Sequence, residues 1–217
     1  MNRILFSILT LFVVAACTTN PYTGEREASN KAKGAAIGAA VGAVIGVLSG
    51  GDADERRKRG LIGLGVGALS GTAVGAYMDA QESKLRDQLR GTGVSVTRMG
   101  DDLVLNMPGS ITFDVDQYEL KGNFLDVLDS VALVLYEYDQ TLIDVSGHTD
   151  STGSVSHNMA LSDRRAGSVA QYLRAKNIEE LRIYKEGYGP NYPVADNGTA
   201  SGRQLNRRVE LVLKPIT

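Results

Sequence analysis

The heptapeptide HTDSTGS, residues 148–154, combines a histidine, an aspartate and several hydroxyl side chains. Hydrolases use these residue types, so nucleophilic catalysis is the first hypothesis to consider. In an extended strand, Ser146, His148 and Asp150 would point to one side at intervals of about 6.5–7 Å. That spacing is too long for direct proton transfer, and the sequence has no Gly-x-Ser-x-Gly motif. The residues therefore give little support to an enzyme.

A metal site is also poorly supported. His148 and His157 are the two histidines of the chain, and neither belongs to a zinc-binding motif. A solitary histidine on a loop is more often a hydrogen-bonded loop residue than a ligand, so His148 is assigned no chemical role. We expect no metal and no cofactor.

A binding site explains the same residues better. Asp150 follows a predicted strand, where α/β sheets present ligand sites, and Gly153 lets the backbone approach a ligand. Asn158, Leu161 and Arg165 share one face of the next predicted helix. An acid and a base on two sides of a cleft would recognise a zwitterion, because carboxylates bind ammonium and guanidinium groups bind carboxylate. A structural Asp–Arg salt bridge, or a solvated helix face, remains the alternative.

The elements that must position these residues begin at residue 94. The pattern predicts strands over 94–98 and 103–107, a helix over 120–138, a strand over 141–146, a helix over 158–175, and strands over 182–188 and 209–213. Strand–helix–strand units imply parallel neighbours with right-handed crossovers. We therefore expect an α/β sandwich with one mixed parallel/antiparallel sheet and helices on one face.

The N-terminus has the order of a secretory signal. One Arg precedes an apolar run, and two alanines stand directly before Cys17, the single cysteine. The apolar run is too short for a good membrane span. Residues 14–17, VAAC, resemble the lipobox of bacterial lipoproteins, which implies that residues 1–16 are removed and Cys17 is acylated. Thr18, where inner-membrane lipoproteins have Asp, implies the outer membrane. A cleaved signal with an incidental cysteine is the alternative.

Two glycine-rich segments follow a polar tether at 17–33. Glycine recurs at every fourth position in residues 34–50 and again in residues 60–76, with the charged run DADERRKR between them. Each glycine costs about 1 kcal/mol in a helix unless close packing offsets it. We expect a helical hairpin with glycine-zipper faces and a connector helix over 77–90. The hairpin could span a membrane, lie on its surface or pack on itself, and a homo-oligomer through residues 34–76 stays possible.

The distribution of charge excludes one class of partner. Lysine and arginine total 23 against 25 acidic residues, giving a formal net charge of −2. A protein with no net positive charge has no global electrostatic attraction for nucleic acid. We therefore expect no nucleic-acid partner.

Several spaced motifs resemble one family. HTDSTGS followed by NMALSDRRAGSVAQYL matches the pattern T-D-x-x-G, then N-x-x-L-S-x-x-R-A-x-x-V-x-x-x-L, of OmpA C-terminal-like, peptidoglycan-associated domains. ITFDVDQYEL at 111–120 and NRRVELVL at 206–213 also match. The likeness covers residues 92–217 and implies the two-layer OmpA-like sandwich. The glycine-rich hairpin is similar to zipper modules of bacterial envelope lipoproteins.

The resemblance also implies a ligand, the diaminopimelate side chain of peptidoglycan. Asp150 would accept its ammonium group, and Arg165 would pair with its carboxylate. The remaining residues implied to line the cleft are Phe113, Asp114, Thr149, Asn158, Leu161 and Arg207. Asp163 and Arg164 would be a solvated helix face, and Tyr188 and Tyr192 either the rim of the cleft or packing.

These inferences predict a lipoprotein held in the outer membrane by Cys17, with its C-terminal domain in the periplasm. Its partners would be the membrane and peptidoglycan, which it would tether together without catalysis. The alternative is an envelope assembly or stress-related scaffold that oligomerises through the hairpin.

Overall fold

A computed structural model describes residues 52–217. The helices are α1 (Asp52–Gly63), α2 (Gly71–Gln88), α3 (Gly109–Thr112), α4 (Gly122–Glu137), α5 (Val155–Ala175) and α6 (Ala200–Asn206), with a 3₁₀ turn at Glu180–Arg182. The strands are β1 (Ser95–Met99), β2 (Asp102–Pro108), β3 (Thr141–His148), β4 (Ile183–Gly189) and β5 (Arg208–Pro215). The predicted strands and long helices of the C-terminal part are confirmed, while α3, α6 and the 3₁₀ turn were not predicted.

The strands form one mixed sheet in the order β1-β2-β5-β3-β4. β3 and β4 are parallel and flank the crossover helix α5, whereas the other pairs are antiparallel. The last strand, β5, lies at the centre of the sheet and is buried along its whole length. The mixed α/β sandwich expected from the sequence is therefore confirmed.

Helices α2, α4 and α5 cover one face of the sheet and enclose the main hydrophobic core. Helix α5 approaches β3 and β4 very closely because both strands have a glycine beneath it. A Cβ atom at Gly147 would collide with the backbone carbonyl of Ser162, and one at Gly187 with the backbone of Asp163. The two glycines thus allow the short distance between α5 and the sheet. Helix α5 carries Arg165, one of the charged residues of the candidate site.

Helix α1 packs on the opposite face. Leu61 contacts Leu142 and Ile216 in a small apolar cluster. Beside it, Arg57 donates to the buried Asp144 carboxylate at 2.7 Å, and Lys214 lies 2.6 Å from the other oxygen of Asp144. The charged run between the two glycine segments is therefore a helix anchored to the sheet, and the sheet is covered on both faces.

The second glycine segment is not one helix, so the prediction of a single helix over 60–76 is wrong. α1 ends in a Schellman motif: Gly65 has a φ of 94°, Val66 N donates to Leu61 O, and Gly65 N donates to Ile62 O. Leu61 and Val66 also pack together, as this motif favours. Residues 64–70 are non-helical, and the partner segment 34–50 lies outside the described residues.

The connector helix over 77–90 is confirmed as the second part of α2, which ends before Gly91 and Gly93, both at positive φ. The helix is also part of the domain, because it and the residue that caps it bury four side chains in the main core. These are Val74, Met78 and Leu85 within the helix and Leu89 at its C-cap. Among the helices of residues 52–217, none is long and apolar enough to cross a membrane.

Candidate ligand-binding cleft

The loop after β3 is held by hydrogen bonds at both ends. Thr149 N donates to Gly189 O at 2.9 Å, which ties the loop to β4. Gly153 has a φ of 89°, and Ser154 then caps α5 by accepting from His157 N. Asn158 donates its side-chain amide to Thr152 O at 2.9 Å. These contacts give Asp150 a fixed place at the carboxyl end of the sheet.

The Asp150 carboxylate is buried, with 6% of the residue exposed, and both oxygens have donors. Thr152 N donates to Oδ1 at 2.8 Å, and Arg207 Nη1 donates to Oδ2 at 2.5 Å. Burial alone would raise the pKa of this carboxyl, but the hydrogen bonds from Arg207 and Thr152 hold it below its ordinary value. Asp150 is therefore an anion at neutral pH.

Arg165 lies on α5 with only 5% of its surface exposed. Its Nε donates to Gln117 O at 2.8 Å, its Nη2 donates to Asp114 O at 3.3 Å, and the guanidinium stacks on Phe113 at 5.1 Å from the ring centroid. No carboxylate of residues 52–217 forms an ion pair with it, and neither of its hydrogen bonds to these residues uses Nη1. Arg165 is thus a buried cation held by neutral carbonyl groups and a ring.

The charges around Arg165 act on it in opposite directions. Burial lowers the pKa of its guanidinium, the carboxylates of Asp116 and Asp150 raise it, and Arg207 lowers it. Arg207, whose side chain is 41% exposed, therefore belongs with Asp116 and Asp150 to the group of charges that act on Arg165. The structural alternative of a direct Asp150–Arg165 salt bridge is wrong, because each has a different partner.

The other predicted residues have distinct roles in this geometry. Phe113 lies beneath Arg165, whereas Asp114 offers Arg165 its backbone carbonyl and points its exposed carboxylate at Lys121. Asn158 and Leu161 are buried on the face of α5 that also bears Arg165. Thr149 is buried, and its hydroxyl has no hydrogen-bond partner among the described residues. Their contacts with a ligand stay predictions.

Comparison with known proteins gives the family. The OmpA family model matches residues 112–207, and the YMGG-like Gly-zipper model matches residues 1–79. The Probable lipoprotein YiaD of Escherichia coli (strain K12) is 53% identical over 94% of this chain and 92% of its own length. The chain belongs to the OmpA family. It spans about half of another relative, Outer membrane protein A of Bordetella avium, which is 48% identical over 99 residues, with 46% of this chain and 51% of the relative covered.

Solved structures show the same fold. A structure of the cell wall anchor of the T6SS from Pseudomonas aeruginosa is 29% identical, with a TM-score of 0.57 over 62% of this chain and 96% of that one. A putative MotB like protein from Desulfovibrio vulgaris has a TM-score of 0.58 at 22% identity, over 66% of this chain and 96% of its own. The OmpA-like sandwich of residues 92–217 is thereby confirmed as a fold.

His148 does not take part in the cleft of this OmpA-family domain. It is the last residue of β3, fully buried on the face opposite α5, and its ring stacks on Tyr188. Burial holds the pKa of the imidazole far below its ordinary value, so the ring is neutral. Tyr188 packs with Val104 and Val212, which identifies it as packing rather than rim. The expectation of a hydrogen-bonded loop histidine is wrong, since no described residue bonds to its ring nitrogens.

The described residues include no group of three or more His, Cys, Asp or Glu that could hold a metal ion. One contact of the cleft escaped prediction: His157 Nε2 lies 2.7 Å from Asp116 Oδ1 and joins α5 to the loop after Phe113. Asp116 has a φ of 58°, a conformation that Asp tolerates better than most residues. The pairing of two exposed side chains 41 positions apart has no periodic signal in the sequence.

Proposed function

We propose that this chain is an outer-membrane lipoprotein that binds peptidoglycan non-covalently and so ties the membrane to the wall. The ligand in the cleft is the far end of a diaminopimelate side chain, which carries one ammonium and one carboxylate group. The domain acts by binding and performs no reaction.

The observation that carries this proposal is the state of Arg165. A buried charge is normally paired, because its removal from water costs several kcal/mol. The direct contacts of Arg165 are carbonyl groups and the Phe113 ring, and no carboxylate of residues 52–217 forms an ion pair with it, although Asp116 and Asp150 are close enough to raise its pKa. A ligand carboxylate would supply the missing charge in a charge-assisted hydrogen bond. The site therefore fits a ligand that is negative at this point.

Asp150 supplies the opposite charge. Its two donors orient the carboxylate without exhausting it, since a carboxylate has about four lone-pair sites and Thr152 and Arg207 occupy two. An ammonium group can therefore bind at the lone-pair sites that remain. Charge-assisted bonds contribute about 1.5–3 kcal/mol each, so a single cleft gives modest affinity. Many anchors on one polymer would act together by avidity.

The position of α1 supports a tether. Arg57 binds Asp144, and Leu61 packs on Leu142, so α1 lies on the face of the sheet opposite α5. Arg165 is on α5, so this first described helix does not cover it. The relative named a probable lipoprotein, and the neighbour described as a cell wall anchor, agree with the two ends of this proposal.

Cosedimentation with purified sacculi tests the wall-binding half. The detergent-solubilised full chain should pellet with sacculi, while Asp150→Ala and Arg165→Ala should stay in the supernatant. Far-UV circular dichroism must show both variants folded. Arg90→Ala is the matched control, because Arg90 is exposed at the end of α2 and should leave retention unchanged. Retention of both cleft variants at the wild-type level would contradict the assignment.

Cell fractionation tests the membrane half. Cys17→Ala should move the chain from the outer-membrane fraction to the soluble periplasmic fraction, while its binding to sacculi in detergent stays unchanged. Outer-membrane recovery of Cys17→Ala at the wild-type level would contradict the lipid anchor.

A further inference from the structure

A groove lies on the solvent side of α5, adjacent to the cleft. Its volume is about 450 Å³, which is within the range of small-molecule sites. The floor is open at Gly167, where an added Cβ would meet nothing within 4 Å. Tyr118 and Lys185 form part of its walls, and Arg164, Gln171 and Arg174 line it from α5.

One loop joins the groove to the cleft. Gln117 binds Arg165 through its carbonyl group on the cleft side. The next residue, Tyr118, lies under the guanidinium of Arg164 at 5.0 Å from the ring centroid, on the groove side. Consecutive arginines of α5 are thus held by consecutive residues of one loop. The two sites are therefore separated only by this loop, and one extended ligand could contact both.

Most of the charges of the groove are paired with one another, so the groove suits a ligand rich in hydroxyl groups. Lys185 binds both oxygens of Asp163 at 2.6 and 2.7 Å, and Arg174 lies 3.6 Å from Glu180, so both cations have acidic partners. Arg164 alone of these three has no ion pair among residues 52–217. The stacked guanidinium leaves its N–H groups available at its edge, and Gln171 adds an amide. Such planar polar side chains beside an aromatic ring suit sugar hydroxyl and acetamido groups.

We propose that this groove is a second subsite, which takes the glycan strand of peptidoglycan when the stem peptide occupies the cleft. The inference rests on the proposed function. A three-residue stem that ends in diaminopimelate spans about 10 Å. A helix with its side chains is about 10–12 Å wide, so a strand on the outer side of α5 is within reach of a peptide bound at Arg165.

Two soluble probes separate the groove from the cleft. The first is a stem tripeptide with diaminopimelate at its third position, and the second is the same tripeptide attached to its disaccharide. Calorimetry with the full chain in detergent should give at least a tenfold higher affinity for the disaccharide tripeptide. Arg164→Ala and Gly167→Tyr, which fills the open floor, should remove this difference and leave the affinity for the tripeptide unchanged.

Arg90→Ala is the charge-matched control and should preserve the difference. Thermal unfolding checks that Gly167→Tyr is folded, and Arg164→Ala tests the groove without adding volume. Equal affinity of the wild type for both probes, or an equal loss of both affinities in the variants, would overturn the groove. Failure of the wild type to bind the tripeptide would instead overturn the proposed function, and the groove with it.

Discussion

Arg207 Nη1 donates to Asp150 Oδ2 at 2.5 Å and joins the last turn before β5 to the loop after β3. The two residues are 57 positions apart, and the adjacency of β3 and β5 in the sheet brings them together. The neighbouring arginine, Arg208, is fully buried and donates to Glu210 at 2.7 Å. Arg207 therefore contacts a residue of the candidate site, whereas Arg208 forms a buried ion pair within the sheet.

This pair gives the first prediction. Arg207→Ala removes a donor that orients Asp150, so wall retention should fall severalfold, while the free energy of unfolding falls by only about 1–2 kcal/mol, because Asp150 keeps Thr152 N as a donor. Arg208→Ala leaves Glu210 as an unpaired buried charge and should cost about 3–5 kcal/mol. Urea unfolding and sacculus cosedimentation of both variants measure the two effects. A loss of stability in Arg207→Ala as large as in Arg208→Ala would contradict this division.

Close packing of α5 on the sheet gives the second prediction. Gly147→Ala would drive its Cβ into the Ser162 carbonyl and should destabilise the protein by more than about 3 kcal/mol. Gly167 lies on the same helix, α5, but a Cβ atom added there would meet nothing within 4 Å. Gly167→Ala should therefore stabilise the protein by about 1 kcal/mol, because alanine has the higher helix propensity. Thermal unfolding of the pair checks the sign of each change. The packing explanation fails if both variants have the same melting temperature.

The ionic attachment of α1 gives the third prediction. Arg57 donates to Asp144 Oδ1 and to Arg182 O, and the Asp144 side chain is only 1% exposed. Arg57→Ala should cost about 1–3 kcal/mol, because Asp144 keeps only Lys214 as a charged partner. The exposed Arg56→Ala is the matched control and should be neutral. Limited proteolysis within α1 should become faster in Arg57→Ala alone, and equal rates in both variants would argue against the attachment.

Asp102 gives a prediction on pH. Burial raises its pKa to about 6, with Asp144 adding to the rise and Lys214 opposing it. The folded state then holds a proton that the unfolded state loses near pH 4, so stability falls as pH rises from about 4 to 6 and stays lower above that. Asp102→Asn removes this cost. It should gain about 1–2 kcal/mol at pH 7.5, after discounting for solvent screening, and almost nothing at pH 4.

Urea unfolding at the two pH values measures this difference. Asp101 is an exposed neighbour in the same turn, so Asp101→Asn is the control. It should change the free energy of unfolding by the same small amount at both pH values. A pH-independent gain in Asp102→Asn would show that the raised pKa is not its cause.

Periodicity predicted the sheet and its helices because buried faces must repeat at 2 or 3.6 residues. The same reasoning failed at residues 60–76, where evenly spaced glycines suggest a continuous helix. The Schellman cap uses Gly65, which lies between two of the evenly spaced glycines, and the packing of Leu61 on Leu142 holds the end of α1 on the sheet. Local spacing alone does not contain that tertiary contact.

The cleft shows a similar division. Asp150 could be identified because it follows a predicted strand. Arg165 could be identified because it shares a helix face with other motif residues. The carbonyl groups of Asp114 and Gln117, which hold Arg165, could not, since a backbone acceptor is present at every position and only the fold selects it. The Asp116–His157 contact joins residues 41 positions apart and involves a left-handed backbone at Asp116, neither of which has a periodic signal in the sequence.

The fifth prediction tests the role of Arg165 with two ligands that differ by one group. A stem tripeptide with lysine at its third position keeps the side-chain ammonium but lacks the carboxylate that diaminopimelate carries beside it. A charge-assisted bond of about 1.5–3 kcal/mol corresponds to a preference of about 10- to 140-fold. Arg165→Ala should abolish this preference, whereas Arg165→Lys should keep part of it, because the charge remains but the planar fork is lost.

The most direct measurement is therefore the ratio of the two dissociation constants, obtained by calorimetry with the full chain in detergent. We predict a ratio of at least about tenfold in favour of the diaminopimelate tripeptide for the wild type and a ratio near one for Arg165→Ala. Equal affinities in the wild type, or an unchanged ratio in Arg165→Ala, would contradict the assignment of the buried guanidinium as the carboxylate-binding group.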